Sequence, residues 1–167
     1  VPDSGGPGKY RGGLGVGMTL EALIPNTIVA MRGMERTRFS PWGVNGGHCG
    51  GRTAPAIVNS GTESEQRIPK LDVLQMNRGD TLKLASSGGG GYGDPCERDP
   101  EVVRTDVLCG FVSRKQATEA YGVVLDSAGK VDAAATRRQR DALRSARAAS
   151  ASIYAYGPER DRHDRLW

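Results

Sequence analysis

The sequence predicts an α+β protein in which a glycine-rich region of short strands is followed by helices. Two observations support this fold class. First, 20 of the 24 glycines lie in residues 1–93, which leaves four for residues 94–167. Second, short β-branched or alternating segments give way after Pro95 to segments with helix-capping signals. We therefore predict a glycine-rich β region at 1–94, a helical C-terminal region at 95–150 and a tail at 151–167.

The strands of the β region are predicted from apolar runs and turn residues. The segment 81–85 alternates polar and apolar residues after a turn at 77–80, as a half-buried strand does. A β-branched run favours a second strand at 23–31. Glycine at every second position leading into 16–20 is typical of a strand packed against another backbone, a bulged edge or the lining of a site. Further short or irregular strands are predicted at 56–59 and 71–76, with a polar surface loop at 60–67.

Capping residues delimit three predicted helices. Asp99 caps a helix over 100–109 that has proline at its first position and Gly110 after its last turn. Ser113 and Gln116 form a capping box for a second helix, which ends before Gly122. Asp132 caps a third helix over about 133–149. Its apolar face is weak, so we expect it to lie on a surface, either of its own chain or of a partner.

The stretch Ser86 to Pro95 contains four successive glycines and is the most unusual feature of the sequence. Such a run is a loop, because glycine loses more backbone entropy than other residues and has no side chain to pack. It suits either a tight buried connection, where backbones approach closely, or a cradle for an anion or substrate. No Lys-Ser or Lys-Thr follows, so the run is not a P-loop.

Composition narrows the class of protein. The 167 residues are 37% hydrophobic and 5% aromatic, which predicts a thin core for one domain. Five arginines against one aspartate at 137–147 give a local excess equal to the net charge of +4. Without aromatics or a known module beside them, these arginines favour a solvated or protein-docking helix face over nucleic-acid binding. No run approaches a membrane span and no signal segment is visible, so we expect a soluble, cytoplasmic protein.

The cysteines and histidines predict no metal site. Cys49, Cys96 and Cys109 lack C-x-x-C spacing and are interpreted as small buried or half-buried thiols. His48 precedes Cys49 in a glycine loop that also holds Trp42, which we interpret as a core anchor. Adjacent side chains usually point apart and no third ligand is visible, so the expected metal ligands are none.

Several motifs together resemble the hydantoinase B/oxoprolinase family, whose relatives include the large subunits of acetone and acetophenone carboxylases. The resemblance covers about residues 3–145 and is carried by motifs that occur in order. These motifs are Lys9-Tyr10-Arg11-Gly12-Gly13-Leu14-Gly15, Arg36 to Gly43 with Gly46-Gly47, Gly79-Asp80, Gly88 to Pro95 with Glu97-Arg98-Asp99-Pro100, and the stretches 107–124 and 131–136.

The resemblance implies a subunit of a hetero-oligomeric enzyme. Its partners would be a hydantoinase A-type subunit, which uses ATP and Mg to phosphorylate a carbonyl or lactam oxygen, and the N-terminal portion of the B-type subunit. A divalent metal, Mn or Zn, would lie in that N-terminal portion rather than in this chain. B-type chains are several hundred residues long. This chain, which begins at Val1, is therefore expected to be their separately encoded or processed C-terminal portion.

The resemblance and the chemistry of glycine loops together select candidate site residues. Clustered glycine amides and a fixed arginine can hold an anionic phosphorylated substrate without added bulk. No catalytic residue is assigned. The candidates for substrate or anion binding are Arg11, Gly12, Gly13, Arg36, Arg38, Gly88, Gly89, Gly90, Gly91 and Tyr92; these arginines could instead pair with acids or dock the rest of the enzyme.

Three functions remain open on the sequence. In the first, the chain is part of an enzyme that hydrolyses an ATP-activated hydantoin, oxoproline or lactam ring, or carboxylates a ketone. In the second, it is a non-catalytic subunit that completes the fold of a larger catalytic one. The third and least favoured is a basic nucleic-acid-binding module, for which steep salt dependence of DNA or RNA binding would be the signature.

Overall fold

A computed structural model describes residues 1–30, 36–68, 73–146, 153–158 and 160. The fold is α+β, as predicted, with most of the short antiparallel strands before residue 86 of the chain and three helices after residue 99. Parts of three predicted elements lie outside the described residues. They are the end of the strand 23–31, the start of the segment 71–76 and the end of the third helix, which fall at 31–35, 69–72 and 147–150 respectively. The division of the chain at residues 94 and 150 stays a prediction.

The largest sheet has four strands in the order β1-β7-β4-β5, all antiparallel. These strands are β1 (Gly17–Glu21), β4 (Ala56–Val58), β5 (Gln66–Ile68) and β7 (Thr81–Ala85). The strand β5 was not predicted and lies at the end of the expected surface loop. A separate ribbon pairs β2 (Thr27–Ala30) with β6 (Val73–Met76). The predicted strand 23–31 is shorter than expected because its first residues form a turn, with Asn26 at a φ of +56°.

The core of the β region lies between this sheet and the ribbon. Leu82 and Leu84 of β7 and Val58 of β4 are buried beside Met76 of β6. Val29 of β2 packs against the same cluster, so one face of the ribbon covers one face of the sheet.

The helical region has its own apolar core. The helices are α1 (Pro100–Leu108), α2 (Arg114–Glu119) and α3 (Ala133–Ala146), and a 3₁₀ turn covers Pro95–Glu97. The predicted N-caps are confirmed: Asp99, Ser113 and Asp132 accept hydrogen bonds from amides in the first turns of α1, α2 and α3. The reciprocal half of the predicted capping box is wrong, because the Ser113 amide donates to Oδ1 of Asp3 at 2.7 Å and not to Gln116. Among the described residues, no helix is long and apolar enough to cross a membrane. The buried members of this core are Val103, Val112, Ala117, Tyr121 and Val123.

Part of the predicted tail lies on its own chain. Strand β8 (Tyr154–Ala155) pairs with β3 (Gly43–Val44) in the second glycine loop. Trp42 contacts the tail rather than filling the core: its ring is 5.0 Å from that of Tyr156, edge to face, and the residue is 45% exposed. The edge-to-face contact of Tyr156 adds to the short pairing of Tyr154–Ala155, which alone is weak.

Two other expectations differ from the structure. Cys109 is exposed, because it caps the C-terminal end of α1, whereas Cys96 is buried and Cys49 is half-buried. Arg140 was grouped with the solvated arginines of α3, but its guanidinium donates to the carbonyl oxygens of Tyr121 and Arg98. Burial lowers the pKa of Arg140, and these bonds attach α3 to the rest of the helical region.

Candidate functional site

Three glycine-rich segments meet in the structure, and we call them together the glycine bundle: residues 4–13, 41–51 and 88–93. The amide of Gly6 donates to the carbonyl of Gly89 at 2.8 Å, and the amide of Gly91 donates to the carbonyl of His48 at 2.9 Å. The amide of His48 in turn donates to the carbonyl of Pro7 at 2.7 Å. Each segment is therefore hydrogen-bonded to the other two.

Glycine is required in this bundle by the close approach of the backbones. A Cβ atom on Gly90 would overlap the carbonyl oxygen of Trp42, and one on Gly12 would overlap the carbonyl oxygen of Gly89. Neither residue has a positive φ, so the constraint is the lack of space and not the backbone conformation. The bundle is a core made of backbone, which the low apolar content of the sequence did not reveal.

The amides of the tetraglycine run bear on whether the run holds an anion. Those of Gly88, Gly89 and Gly91 donate to the carbonyl oxygens of Gly51, Gly13 and His48 respectively. An amide that already donates to a carbonyl is not free to bind an external anion. These three bonds support the tight-packing alternative for the run. A role of Gly88, Gly89, Gly90 and Gly91 in substrate binding stays a prediction.

Tyr92 and Gly13 lie at exposed positions beside this core. Tyr92 is 50% exposed and exchanges backbone hydrogen bonds with Tyr10 at 2.9 and 3.0 Å. The Tyr92 hydroxyl accepts a hydrogen bond from Nδ2 of Asn45 at 2.9 Å. Gly13 is exposed, and a Cβ atom built on it meets nothing within 4 Å. A ligand can therefore reach both residues, unlike the buried Gly12.

Arg11 points into the protein, where it joins a buried ion cluster. Its guanidinium contacts Asp106 of α1 at 3.3 Å, and Arg98 contacts the same carboxylate at 2.9 Å. The three side chains are only 15%, 10% and 14% exposed in the order Arg11, Asp106, Arg98. Arg11 also lies over the ring of Phe111, 5.6 Å from its centroid. This ion pair supports the alternative in which a predicted arginine binds an acidic side chain instead of a substrate.

Arg36 and Arg38 contact a different part of the chain. Both are exposed, and the Arg38 guanidinium lies 5.2 Å from the ring centroid of its neighbour Phe39. The carbonyl of Arg36 accepts a hydrogen bond from the amide of Thr53 at 2.9 Å. Their guanidinium groups are therefore accessible to a ligand or a partner, whereas that of Arg11 is occupied by Asp106.

A cleft of about 490 Å³ lies between the glycine bundle and α2. His48 and Cys49 line its bundle side. Gln116 crosses it, donating from Nε2 to the carbonyl oxygen of Asp3 at 3.4 Å, while its buried Oε1 has no hydrogen-bond partner in the described part of the chain. The cleft thus combines polar groups from distant parts of the sequence. Its lining residues are Asp3, Pro7, His48, Cys49, Ser113, Lys115, Gln116, Glu119 and Ala120.

The cleft does not supply a metal centre from the residues in view. A divalent ion such as Zn²⁺ needs three or more His, Cys, Asp or Glu ligands around one point. No such group exists among the residues that the structure describes. The arrangement can offer hydrogen bonds and charge to a small polar molecule instead.

Tyr121 is a buried ionisable group whose pKa responds to the ion cluster. Burial raises the pKa of Tyr121 to about 12, with smaller opposing effects from Arg98 and Arg11. Its hydroxyl has no hydrogen-bond partner among the described residues. The phenol therefore stays neutral across the physiological range.

Four residues organise the site but were not predicted as site residues: Asp106, Arg98, Asp3 and Gln116. Arg11 and Asp106 are 95 positions apart, and Asp3 and Ser113 are 110 apart. No periodicity connects such pairs. A local signal could have found Asp106, because it stands three residues after Val103 on the same face of the helix, and a charged residue on a buried face is unusual.

Comparison with known proteins identifies the class to which this glycine bundle belongs. The sequence model of the hydantoinase B/oxoprolinase family matches residues 1–95, which include all three segments of the bundle. The chain belongs to the hydantoinase B/oxoprolinase family.

Relatives of known name agree with this assignment. The B-type chain of a putative D-/L-hydantoinase from Pseudomonas sp. strain NS671 is 32% identical over 135 residues, which are 80% of this chain and 22% of the relative. The beta chain of the caprolactamase of Pseudomonas jessenii is 32% identical over 160 residues, 85% of this chain and 25% of the relative.

Solved structures agree in fold. A chain of the ATP-dependent caprolactamase from Pseudomonas jessenii superposes with a TM-score of 0.64 at 28% identity, over 84% of this chain and 25% of that one. Nucleotide-free acetone carboxylase superposes with a TM-score of 0.67 over 99% of this chain and 26% of that one, at 23% identity. This chain therefore spans about a quarter of the length of these four relatives.

Proposed function

We propose that this chain is the C-terminal portion of a hydantoinase B-type unit, acting in the cytoplasm within an ATP-using hetero-oligomer. The reaction would be ring-opening hydrolysis of a phosphorylated hydantoin, oxoproline or lactam, or carboxylation of a ketone. The observation that carries the proposal is the glycine bundle, because all of it falls within the residues that match the family. The names of the hydantoinase and caprolactamase relatives support the amide-ring chemistry.

The chain's own residues would contribute binding surface and support rather than ATP chemistry. The tetraglycine run lacks the Lys-Ser or Lys-Thr of a P-loop, and the described residues hold no group of three metal ligands. The described residues therefore offer neither a P-loop for a nucleotide nor three ligands for a metal ion. We place ATP and Mg on an A-type partner subunit, and any Mn or Zn in the remainder of the B-type unit.

We further propose a division of labour among the predicted site residues. Gly13, Tyr92, Arg36 and Arg38 are exposed and would face substrate or a partner. Gly12 and Gly88–Gly91 would form the rigid backbone core behind them, and Arg11 would hold that core to α1 through Asp106. A rigid support matters because catalytic geometry is lost with shifts of about 1 Å.

The proposal is tested in the assembled enzyme with variants that leave the bundle intact. The chain is combined with the remainder of the caprolactamase beta chain and its ATP-using partner, and ADP release and product formation are measured with hydantoin, oxoproline, lactam and ketone substrates. Gly13→Ala and Arg36→Ala are expected to lower the product formed per ADP released at least tenfold without disassembly. Arg137→Ala, at an exposed position on α3, is the matched control and should leave it unchanged.

A second candidate function is that of a purely structural subunit, favoured by the three tetraglycine amides that already bond the chain's own carbonyls. It predicts full activity for Gly13→Ala and Arg36→Ala, and loss of the complex only when the bundle itself is disrupted, as by Gly90→Val. Absence of substrate-stimulated ADP release from a complex that does assemble would contradict the enzymatic proposal.

A further inference from the structure

Strand β1 is an edge strand with an apolar side chain pattern, and no other strand in the described part of the chain covers its outer edge. Among the described strands it pairs only with β7, so its other edge is open. All five of its residues are exposed. We call the following residues the β1 apolar edge; their exposed fractions are Val16 60%, Met18 47%, Leu20 42%, Leu23 72% and Ile24 66%.

The register shows that part of this edge continues the apolar face that is buried in the core at β7. Met18 and Leu20 lie opposite Leu84 and Leu82 of β7. Residues directly opposite in an antiparallel pair project from the same face. Leu82 and Leu84 are 0% and 9% exposed, so the face that is buried at β7 becomes exposed one strand further out. The apolar layer of the sheet therefore extends beyond the part that the ribbon covers.

The edge also lacks the features that protect natural edge strands from association. Such strands usually carry lysine, proline or a bulge, or are covered by another element. In β1 (Gly17–Glu21) the charged residue is Glu21, at its last position, and all five residues pair in unbroken register with β7. An open, regular and apolar edge is the geometry that accepts an added strand.

The length of the relatives indicates what occupies the edge. The described fold aligns over 99% of its length with about a quarter of acetone carboxylase, and over 84% with a quarter of a caprolactamase chain. Three quarters of each of those chains thus lie outside the part that this chain resembles. That remaining portion is the partner to which we assign the cover of the five-residue edge.

We propose that β1 receives an antiparallel or parallel β-strand from the remaining part of a hydantoinase B-type unit, and that the apolar side chains of that strand cover Met18 and Leu20. This inference rests on the proposed function, since it takes the partner from the family assignment. It locates the assembly surface on the sheet edge, away from α3 and its arginines.

The test is co-purification of the 167-residue chain with the Pseudomonas jessenii caprolactamase beta chain from which the aligned quarter has been removed. Leu23→Lys and Ile24→Lys change the two most exposed residues of the edge, so they leave the core intact; Met18→Lys with Leu20→Lys changes the strand itself. Leu108→Lys is the matched control, because Leu108 is 64% exposed but lies at the end of α1. Circular dichroism verifies that each variant is folded.

The expected result is a one-to-one complex with the wild-type chain and the control, and binding at least tenfold weaker for both edge variants. Hydrogen exchange then distinguishes strand addition from contact between side chains only. The β1 amides that do not bond β7 should exchange at least tenfold more slowly in the complex than in the isolated chain, because an added strand accepts their hydrogen bonds.

Four results would overturn the inference. The first two are wild-type affinity in the edge variants and no binding of the wild-type chain to the truncated caprolactamase beta chain. The third is an unchanged exchange rate of the open-edge amides in the complex. The fourth is a homodimer of the chain that the edge substitutions dissociate and the truncated beta chain does not displace. The proposed function fails separately, when the complex forms through β1 but releases no ADP in response to substrate. Conversely, complexes of the edge variants that form and are active would refute β1 as the assembly surface but would not contradict the proposed function.

Discussion

At the scale of the residue, the glycines of the bundle have unequal roles that only the packing around them distinguishes. Gly12 and Gly13 are neighbours with ordinary φ values, yet a side chain at Gly12 would overlap the backbone of Gly89 and one at Gly13 would meet open space. In a close-packed interior an added methyl group has to displace its neighbours. A backbone neighbour yields less readily than the end of a flexible side chain.

This difference predicts opposite outcomes for the same substitution at adjacent positions. Gly12→Ala should lower the free energy of unfolding by about 2 kcal/mol or more, as overpacking does. Gly13→Ala should leave it unchanged within about 0.5 kcal/mol or raise it slightly, because alanine restricts the unfolded chain. Urea unfolding followed by circular dichroism measures both. Equal effects of the two substitutions would mean that the bundle is not packed as described.

The neutral phenol of Tyr121 makes stability depend on alkaline pH. Burial raises its pKa from 10.0 to about 12, so between these values the unfolded state ionises and the folded state does not. The unfolded state then binds fewer protons, and stability falls as pH rises from about 10 through 12. Below pH 10 both states are neutral and the effect is absent.

Tyr121→Phe should remove most of this alkaline loss. At pH 7 it should also leave stability unchanged or raise it by about 1 kcal/mol, because the buried hydroxyl lacks a partner among the described residues. Tyr10→Phe, at a position 64% exposed, is the control and should keep the wild-type pH profile. The measurement is the midpoint of thermal unfolding at pH 7, 9, 10 and 11. A wild-type pH profile in Tyr121→Phe would show that another group titrates.

At the scale of the element, Asp106 joins the first glycine segment to α1. The Asp106 carboxylate binds Arg11, which lies in the first segment of the bundle, and Arg98, which precedes the helix. Two guanidinium groups share one carboxylate, and all three are mostly withdrawn from water. Breaking such a cluster leaves buried charge without compensation, which costs far more than an exposed ion pair contributes.

Asp106→Asn should therefore lower the free energy of unfolding by about 3 kcal/mol. Asp141→Asn is the matched control: Asp141 pairs with Arg144 on α3 at 3.7 Å, with side chains 66% and 51% exposed. The control should change stability by less than about 0.5 kcal/mol. Chemical denaturation at pH 7 compares the two variants. A loss in Asp106→Asn no larger than in the control would contradict the structural role of the cluster.

Elements with local signals could be predicted from the sequence, and contacts between distant segments could not. The strand Thr81–Ala85 and the helix from Pro100 follow from alternation and capping, which act within a few residues. The contacts of the glycine bundle could not be predicted, because glycine has no side chain whose periodicity would indicate its partner. The pairing of Gly43–Val44 with Tyr154–Ala155 was missed for a similar reason, since two residues are too short a pattern.

The candidate site was predictable only in part. The motifs selected the three segments that meet in the bundle, and the family match confirms the family that they indicated. They did not show that Arg11 points inward to Asp106 while Arg36 and Arg38 stay exposed. The direction of a long side chain depends on which acids the fold brings near it, and that information lies in the tertiary structure.

At the scale of the whole molecule, several features support the proposal that this chain forms part of a larger unit. It spans about a quarter of its relatives. Two separate apolar clusters and a backbone bundle replace one large core, and the apolar layer of the sheet is open at β1. Small or divided cores bury a smaller fraction of apolar surface and are less stable alone. Assembly with a large partner would raise its stability by mass action.

The most direct test of this account is light scattering after size exclusion, on the chain alone and after co-expression with the remainder of a B-type unit and an A-type subunit. We expect the chain alone to fold with low stability and to associate without defined stoichiometry, and the co-expressed chain to elute in a stoichiometric complex that cleaves ATP. A well-folded monomer that ignores both partners would contradict the account, and the family membership would then describe ancestry without present function.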